Sequence, residues 1–196
     1  MESSKPQISK VNETGAIVLE KDNLRFFAAH FVAKLDPVSG KVLRETLHGH
    51  NYKVVCEVIG PKQADSPYII DKNDIQDAAK RICDLFHSKM LIPTRSPALI
   101  VQDFFPDKDH VTMRVKDVNE VFQFPRKDVL LLDLEYTSIE DLAELFTNLI
   151  FGELANKGSH FTSNIQKLQV SVQEYPGLRC VRCLELGITA SNKPKL

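Results

Sequence analysis

The sequence predicts an α+β domain built on a largely antiparallel sheet. Alternating apolar runs lie near both ends of the chain, two segments with helical periodicity lie between them, and no repeat or low-complexity linker divides the chain. Of its 196 residues, 43% are apolar and 26% are charged, which is an ordinary globular composition. We therefore expect a single domain, residues 21–190, preceded by an N-terminal extension of residues 1–20.

The first half of the domain predicts two strands and a helix. Residues 24–33 alternate in the manner of a strand, residues 36–40 have the chemistry of a turn, and residues 50–59 predict a second strand stopped by Gly60. Asp71 can cap the first helix. The apolar positions of that helix recur at helical spacing: Ile75, Ala78, Ala79, Ile82 and Leu85.

The second half predicts short strands, a second helix and a closing hairpin. The short strands are expected at residues 111–115, 121–124 and 129–134. The segment Thr137-Ser-Ile-Glu140 is a candidate capping box, with Thr137 as the cap and Glu140 three residues later. The hairpin joins residues 165–172 and 180–186 through a turn at Tyr175-Pro-Gly177.

The charge balance and the cysteines indicate the class of protein. Lys plus Arg number 25 and Asp plus Glu number 26, so the net charge of −1 argues against a broad nucleic-acid or anionic-membrane surface. No apolar run approaches the roughly 20 residues of a membrane span, and the first twenty residues do not resemble a secretory signal. Cys180 and Cys183 form one isolated CxxC pair, which we interpret as reduced thiols. We expect a cytoplasmic protein.

Three histidines form the sharpest candidate site. His48 and His50 are separated by one glycine, and residues i and i+2 of a strand share a face. His30, on a neighbouring predicted strand, would complete a three-nitrogen set with an open fourth position, as in catalytic zinc sites. The alternative is that the three histidines are unrelated, because paired histidines on an exposed strand face are common.

The sequence around these histidines resembles that of the 6-pyruvoyl-tetrahydropterin synthase family. The resemblance lies in Phe27-Ala-Ala-His30 and Leu47-His-Gly-His-Asn-Tyr52, and it covers roughly residues 24–188 with an insertion near 94–127. It implies that His30, His48 and His50 hold Zn²⁺. It also implies a tunnelling fold, in which a four-stranded antiparallel sheet carries two helices on one face. Subunits of this fold join into a β-barrel trimer, and two trimers pair into a homohexamer with sites at subunit interfaces.

The same resemblance identifies residues that bind a pterin. Glu174 matches the glutamate that anchors the ring, and a carboxylate can accept two parallel hydrogen bonds from a ring N–H and an amino group. Glu140 matches the glutamate of the family's threonine–glutamate motif beside the pterin, and Ser138 is expected to bind the pterin next to it. The alternatives are an exposed strand-end carboxylate for Glu174 and a purely capping role for Glu140.

The chain departs from the common family pattern at the catalytic residues. The usual cysteine before the HGH string is absent, and Glu45 stands three residues before His48, which is similar to the variant branch of malaria parasites. The resemblance implies that Glu45 is the general base; the alternative is a solvated loop carboxylate. The family's Asp-His pair at the end of the first helix falls on His87 and Ser88. His87 could be an acid–base group or an ordinary helix-end histidine.

The resemblance implies a zinc-dependent lyase that acts on 7,8-dihydroneopterin triphosphate. With a glutamate in place of the cysteine, the implied product is 6-hydroxymethyl-7,8-dihydropterin, for folate synthesis. Three alternatives remain open: the pyruvoyl-forming synthase of biopterin synthesis, a 6-carboxy-tetrahydropterin synthase, and a catalytically silent pterin-binding paralogue. We expect no nucleic-acid partner and no membrane.

Overall fold

The computed structural model describes residues 14–63, 65–102, 109–158 and 164–186. Most of the predicted N-terminal extension, residues 1–13, lies outside them, as does part of the predicted insertion. The strands are β1 (Thr14–His30), β2 (Ala33–Leu35), β3 (Val42–Arg44), β4 (His48–Pro61), β5 (Lys89–Pro93), β6 (Leu99–Gln102), β7 (His110–Val115), β8 (Val121–Pro125), β9 (Val129–Leu132), β10 (Lys167–Tyr175) and β11 (Leu178–Glu185). The helices are α1 (Lys72–Phe86) and α2 (Ile139–Ala155).

The main sheet has six strands and is mixed, where four antiparallel strands were expected. Its order is β11-β10-β4-β1-β5-β9. The first four strands are antiparallel neighbours, whereas β5 pairs in parallel with both β1 and β9. β5 is parallel to β1 because α1 carries the chain back along the sheet after the antiparallel strand β4, whereas β9 is reached only after β6, β7 and β8. The prediction missed β5 because its five residues follow the helix closely, without a strong turn signal.

The first strand is longer than predicted. It begins at Thr14, so residues 14–20 of the predicted extension pair with β4, from Val55 to Pro61. The register shifts between Glu20 and Arg25. The intervening charged residues interrupt the apolar alternation, which explains why the sequence suggested a later start.

The main core lies between the six-stranded sheet and both helices. Four aromatic side chains meet there, and Phe26 stacks on Tyr52 and on Phe146 at centroid distances of 4.6 and 5.0 Å. Phe86 packs against the same group. Asp71 caps α1 as predicted, by accepting a hydrogen bond from the backbone N–H of Asn73. Leu85 is half exposed, although it was assigned to the apolar stripe of α1.

The predicted insertion folds as a separate antiparallel sheet of β6, β7 and β8. This sheet has its own apolar core, which includes Phe31 and Ala33 from the segment just after β1 and Ile92 from β5. The insertion therefore packs on the chain segment that immediately follows His30. Among the described residues, no helix is long and apolar enough to cross a membrane.

Candidate metal and pterin site

The register of β1 against β4 brings the three histidines together. His30 lies directly opposite His48, and Ala28 lies opposite His50. The ring centroids are 4.7 Å apart for His30 and His48, 5.3 Å for His30 and His50, and 4.7 Å for His48 and His50. One nitrogen from each ring falls within 4.8 Å of the others. The predicted three-histidine group is therefore present.

Backbone carbonyls orient two of the imidazoles. The Nδ1 atom of His30 is 2.9 Å from the carbonyl oxygen of Thr137, and that of His48 is 2.7 Å from the carbonyl oxygen of Thr46. Because a carbonyl oxygen only accepts, each Nδ1 must carry the proton and donate. The Nε2 atoms then present lone pairs, which is the arrangement commonly found in histidines that bind metals.

The carboxylate of Glu174 lies against this group. Its Oε1 atom is 3.4 Å from Nε2 of His30 and 3.2 Å from Nε2 of His50. Burial, aided by the neighbouring histidines, lowers the pKa of His30 to about 4, although the Thr137 carbonyl opposes the shift. His30 is therefore neutral near pH 7, and its Nε2 lone pair faces a carboxylate oxygen. Two acceptors directed at the same space fit a cation between them, so the residues present fit a metal ion.

Tyr52 is a further site residue, which was not among the residues predicted from the sequence. Its hydroxyl lies 3.2 Å from Nε2 of His30 and 3.4 Å from Oε1 of Glu174, at a fully buried position. Burial and the Glu174 carboxylate raise the pKa of Tyr52, so its hydroxyl stays protonated and donates. Alternation along β4 was the available signal, since residue 52 shares a face with residues 48 and 50.

A cavity of about 390 Å³ joins the histidines to most of the predicted site. Its lining includes the side chains of His30, Glu45, His48, His50, Ser138, Glu140 and Glu174. Glu45 lies in the loop between β3 and β4, and its Oε2 accepts a hydrogen bond of 3.0 Å from the backbone N–H of Val32. The N–H of Glu45 in turn donates to the carbonyl of Val32 at 3.0 Å. These two bonds hold the Glu45 carboxylate at the cavity.

The cap of α2 differs from the predicted capping box. Ser138, not Thr137, is the cap, and its Oγ accepts a hydrogen bond from the backbone N–H of Asp141. Thr137 is buried, and its hydroxyl donates to the carbonyl oxygen of Phe31. Glu140 consequently has no capping role and lines the cavity.

His87 is not brought to this cavity within one chain. It ends α1 as the C-cap, and its ring packs on Phe27 at a centroid distance of 4.0 Å. Phe27 faces away from His30 because the two are an odd number of residues apart on one strand. Ser88 follows with a positive φ of 60°, which turns the chain into β5.

Comparisons with known proteins agree with this arrangement. The family model described as 6-pyruvoyl tetrahydropterin synthase matches residues 20–182. A protein of Methanocaldococcus jannaschii, provisionally named 6-carboxy-5,6,7,8-tetrahydropterin synthase, is 33% identical over 151 residues, which is 77% of this chain and 84% of that protein.

Two solved structures share the fold. The 6-pyruvoyl tetrahydropterin synthase of Plasmodium falciparum has a TM-score of 0.77 and 25% identity, over 89% of this chain and all of that one. A Plasmodium vivax 6-pyruvoyltetrahydropterin synthase, described as a mutant in which a catalytic glutamate is replaced by alanine, has a TM-score of 0.78 and 23% identity over the same shares. The histidine geometry and the extent of these matches show that the chain belongs to the 6-pyruvoyl tetrahydropterin synthase family.

Proposed function

We propose that the protein is a zinc-dependent lyase that converts 7,8-dihydroneopterin triphosphate to 6-hydroxymethyl-7,8-dihydropterin. The observation that carries this proposal is the position of Glu45. Its carboxylate lines the same cavity as the three histidines and Glu174, at the place where most relatives would supply a cysteine. The P. vivax structure, which is described as the mutant of a catalytic glutamate, supports a catalytic glutamate on this fold.

His30, His48 and His50 would hold Zn²⁺, since neutral imidazole nitrogens suit this ion. The ion would supply Lewis acidity, which lowers the pKa of a hydroxyl bound to it. Three protein ligands leave a position open for substrate, as catalytic zinc sites require. Tyr52 would help to hold His30 in place beside Glu174, because its buried hydroxyl lies within 3.4 Å of both side chains.

The remaining residues would bind and act on the substrate. A volume of about 390 Å³ lies within the range of small-molecule sites. Glu174 would hold the donor edge of the pterin, with Ser138 and Glu140 beside it. Glu45 would accept the proton of a side-chain hydroxyl, because its carboxylate is already fixed at the cavity by the N–H of Val32. The bond between the first two side-chain carbons would then break. The second carbon would become an aldehyde that leaves with the third carbon and the triphosphate, and the first carbon would take up a proton to give the hydroxymethyl group.

We further propose the homohexamer that the family resemblance implies. Three apolar side chains on the sheet face opposite the helices are between 39% and 59% exposed, as expected of an interface between subunits: Val18, Phe27 and Val181. In such an assembly His87 would act, if at all, at the site of a neighbouring subunit. All four cysteines are free, which accords with a reducing compartment such as the cytoplasm.

A 6-carboxy-tetrahydropterin synthase is the second candidate, because the M. jannaschii relative bears that provisional name. The glutamate in place of the cysteine favours the hydroxymethyl product. Detection of a carboxy product would instead identify a 6-carboxy-tetrahydropterin synthase, and detection of a pyruvoyl product would identify the pyruvoyl-forming synthase. Pterin binding without any turnover would identify the chain as the catalytically silent paralogue.

The decisive experiment is product analysis on 7,8-dihydroneopterin triphosphate with the zinc-loaded protein. We expect 6-hydroxymethyl-7,8-dihydropterin from the native chain. Glu45→Gln should lower turnover at least about a hundredfold, because a general base contributes at least that much. Zinc and pterin affinities should be unchanged in this variant. The matched control is Glu135→Gln at an exposed position outside the cavity, which should behave as the native chain. A different product, or normal turnover by Glu45→Gln, would contradict the proposal.

A further inference from the structure

We infer that Arg44 positions Glu45, and that the β6–β8 sheet acts on the active site through this arginine. The inference rests on the proposed function, in which Glu45 is the general base. Arg44 is the last residue of β3 and immediately precedes Glu45. It does not line the cavity that contains the histidines. Its effect on the chemistry is therefore indirect, and its hydrogen bond to the carbonyl of Glu45 gives a direct route to the proposed base.

The guanidinium of Arg44 is held against two aromatic rings. Its Cζ atom lies 5.5 Å from the ring centroid of Phe31 and 5.4 Å from that of Phe122. The two rings are themselves in contact, with centroids 5.3 Å apart. Contacts of this kind favour a flat, weakly hydrated cation, which arginine provides and lysine does not. Phe122 belongs to β8, so the insertion supplies one of the two rings.

Two directional bonds fix the orientation of the same guanidinium. Its Nε forms an ion pair with Glu120, the residue just before β8. Its Nη1 donates a hydrogen bond of 2.8 Å to the backbone carbonyl of Glu45. Only about a quarter of the Arg44 side-chain surface is exposed, at 26%. One end of the network therefore lies in the insertion and the other on the peptide group of the proposed base.

These contacts complete the restraint on Glu45. Val32 binds the N–H and the carboxylate of Glu45, and Arg44 binds its carbonyl. Without Arg44, the carbonyl end of this residue would lose a charged hydrogen bond and its attachment to the insertion. A displacement of about 1 Å in a catalytic group can lower the rate about a hundredfold. The bonds of Arg44 go to Glu120 and Glu45. The carbonyl that orients His48 belongs to Thr46, one residue further along the same loop. We therefore expect metal binding to depend on Arg44 much less than the placement of Glu45 does.

The test compares Arg44→Met with Arg81→Met in the zinc-loaded protein. Arg81 is a matched control, because it also forms an ion pair with a glutamate, Glu153, but lies on α1. We expect Arg44→Met to lower kcat about tenfold to a hundredfold, with KM and zinc affinity within about threefold. Arg44→Lys should recover only part of the loss, because lysine can pair with Glu120 but has no flat face. Arg81→Met should leave kcat unchanged.

A double variant separates this inference from the proposed function. If Arg44 acts through Glu45, Arg44→Met should cause no further loss of the residual single-turnover rate in a Glu45→Gln background. Three results would each overturn the positioning role. The first is an undiminished kcat in Arg44→Met, and the second is a loss of zinc binding in that variant. The third is a loss on adding Arg44→Met to Glu45→Gln that is as large as the loss in the native background. If Glu45→Gln alone turns over normally, the proposed function fails first. If Glu45→Gln is inactive while Arg44→Met is normal, only the present inference fails.

Discussion

Replacing Glu174 by glutamine would test whether one carboxylate serves both the metal and the pterin. Its Oε1 atom lies within 3.4 Å of Nε2 in both His30 and His50. Glutamine keeps the shape but removes the negative charge, and its amide can turn an N–H towards the lone pair that a metal would use. We therefore expect Glu174→Gln to weaken zinc binding as well as pterin binding.

The size of the effect follows from the burial of the carboxylate. The Glu174 side chain is only 12% exposed, so solvent screens it little. A hydrogen bond to a charged group contributes about 1.5–3 kcal/mol, which corresponds to about ten- to a hundredfold in affinity. We expect a loss of this size for zinc without pterin, and again for a non-reactive pterin at saturating zinc.

The assay is zinc competition against a chelating dye, followed by calorimetric titration with the pterin. Glu140→Gln is the matched control, since Glu140 lines the same cavity from the first turn of α2. It should bind zinc like the native chain and lose only pterin affinity. His48→Ala removes one of the three imidazoles, so its zinc affinity gives the value expected for a lost metal site. Native zinc affinity in Glu174→Gln would refute the role assigned to its charge near the histidines.

Two further predictions concern stability and thiol chemistry. Gly60→Ala should destabilise the fold by several kcal/mol, on the order of a severe core substitution, because the new Cβ would lie 2.2 Å from the carbonyl oxygen of Asn164. Gly152→Ala, in open space on α2, should instead stabilise it by about 0.5–1 kcal/mol, and denaturant unfolding of both variants checks the pair. Burial raises the pKa of Cys56 and Cys83 to about 12, so a native chain alkylated at pH 8 should react only at the two thiols of β11 until it is unfolded. Native reactivity of all four thiols would contradict this account. The raised pKa values also stabilise the fold, because they favour the neutral thiols of the folded chain. This contribution to the free energy of unfolding is complete below pH 9 and is lost as the pH rises towards 12, by about 1.4 kcal/mol per thiol at pH 10.

Sequence alternation predicted the grouping of the three histidines, because the geometry of this group is mostly local. The two-residue period of β4 places His48 and His50 on one face, and pairing with β1 adds His30. The same period could have pointed to Tyr52. Its role depends on contacts with His30 and Glu174, and the latter lies 122 residues further along the chain. No local pattern contains that contact.

Tertiary contacts determined the features that the sequence left open or misplaced. Thr137 and Ser138 are both good helix caps, and the bond from Thr137 to Phe31 leaves the cap to Ser138. The position of His87 could not be predicted, because it depends on where the end of α1 packs against β1, where the His87 ring contacts Phe27. The parallel strand β5 was missed because five mostly apolar residues carry no periodicity that distinguishes a strand from the end of a helix.

The bond between His30 and Thr137 spans 107 residues, and this span has a consequence for biosynthesis. On the ribosome, His50 is completed 87 residues before Thr137, an interval of about 4–17 s at about 5–20 residues per second. During that interval the nascent chain carries all three imidazoles without the carbonyl that orients the first of them, or the carboxylate of Glu174. With the metal role proposed above, an ion captured then would be held loosely, and firm binding would follow only after β10 has joined the sheet. Metal loading would thus be a late event in the maturation of each chain.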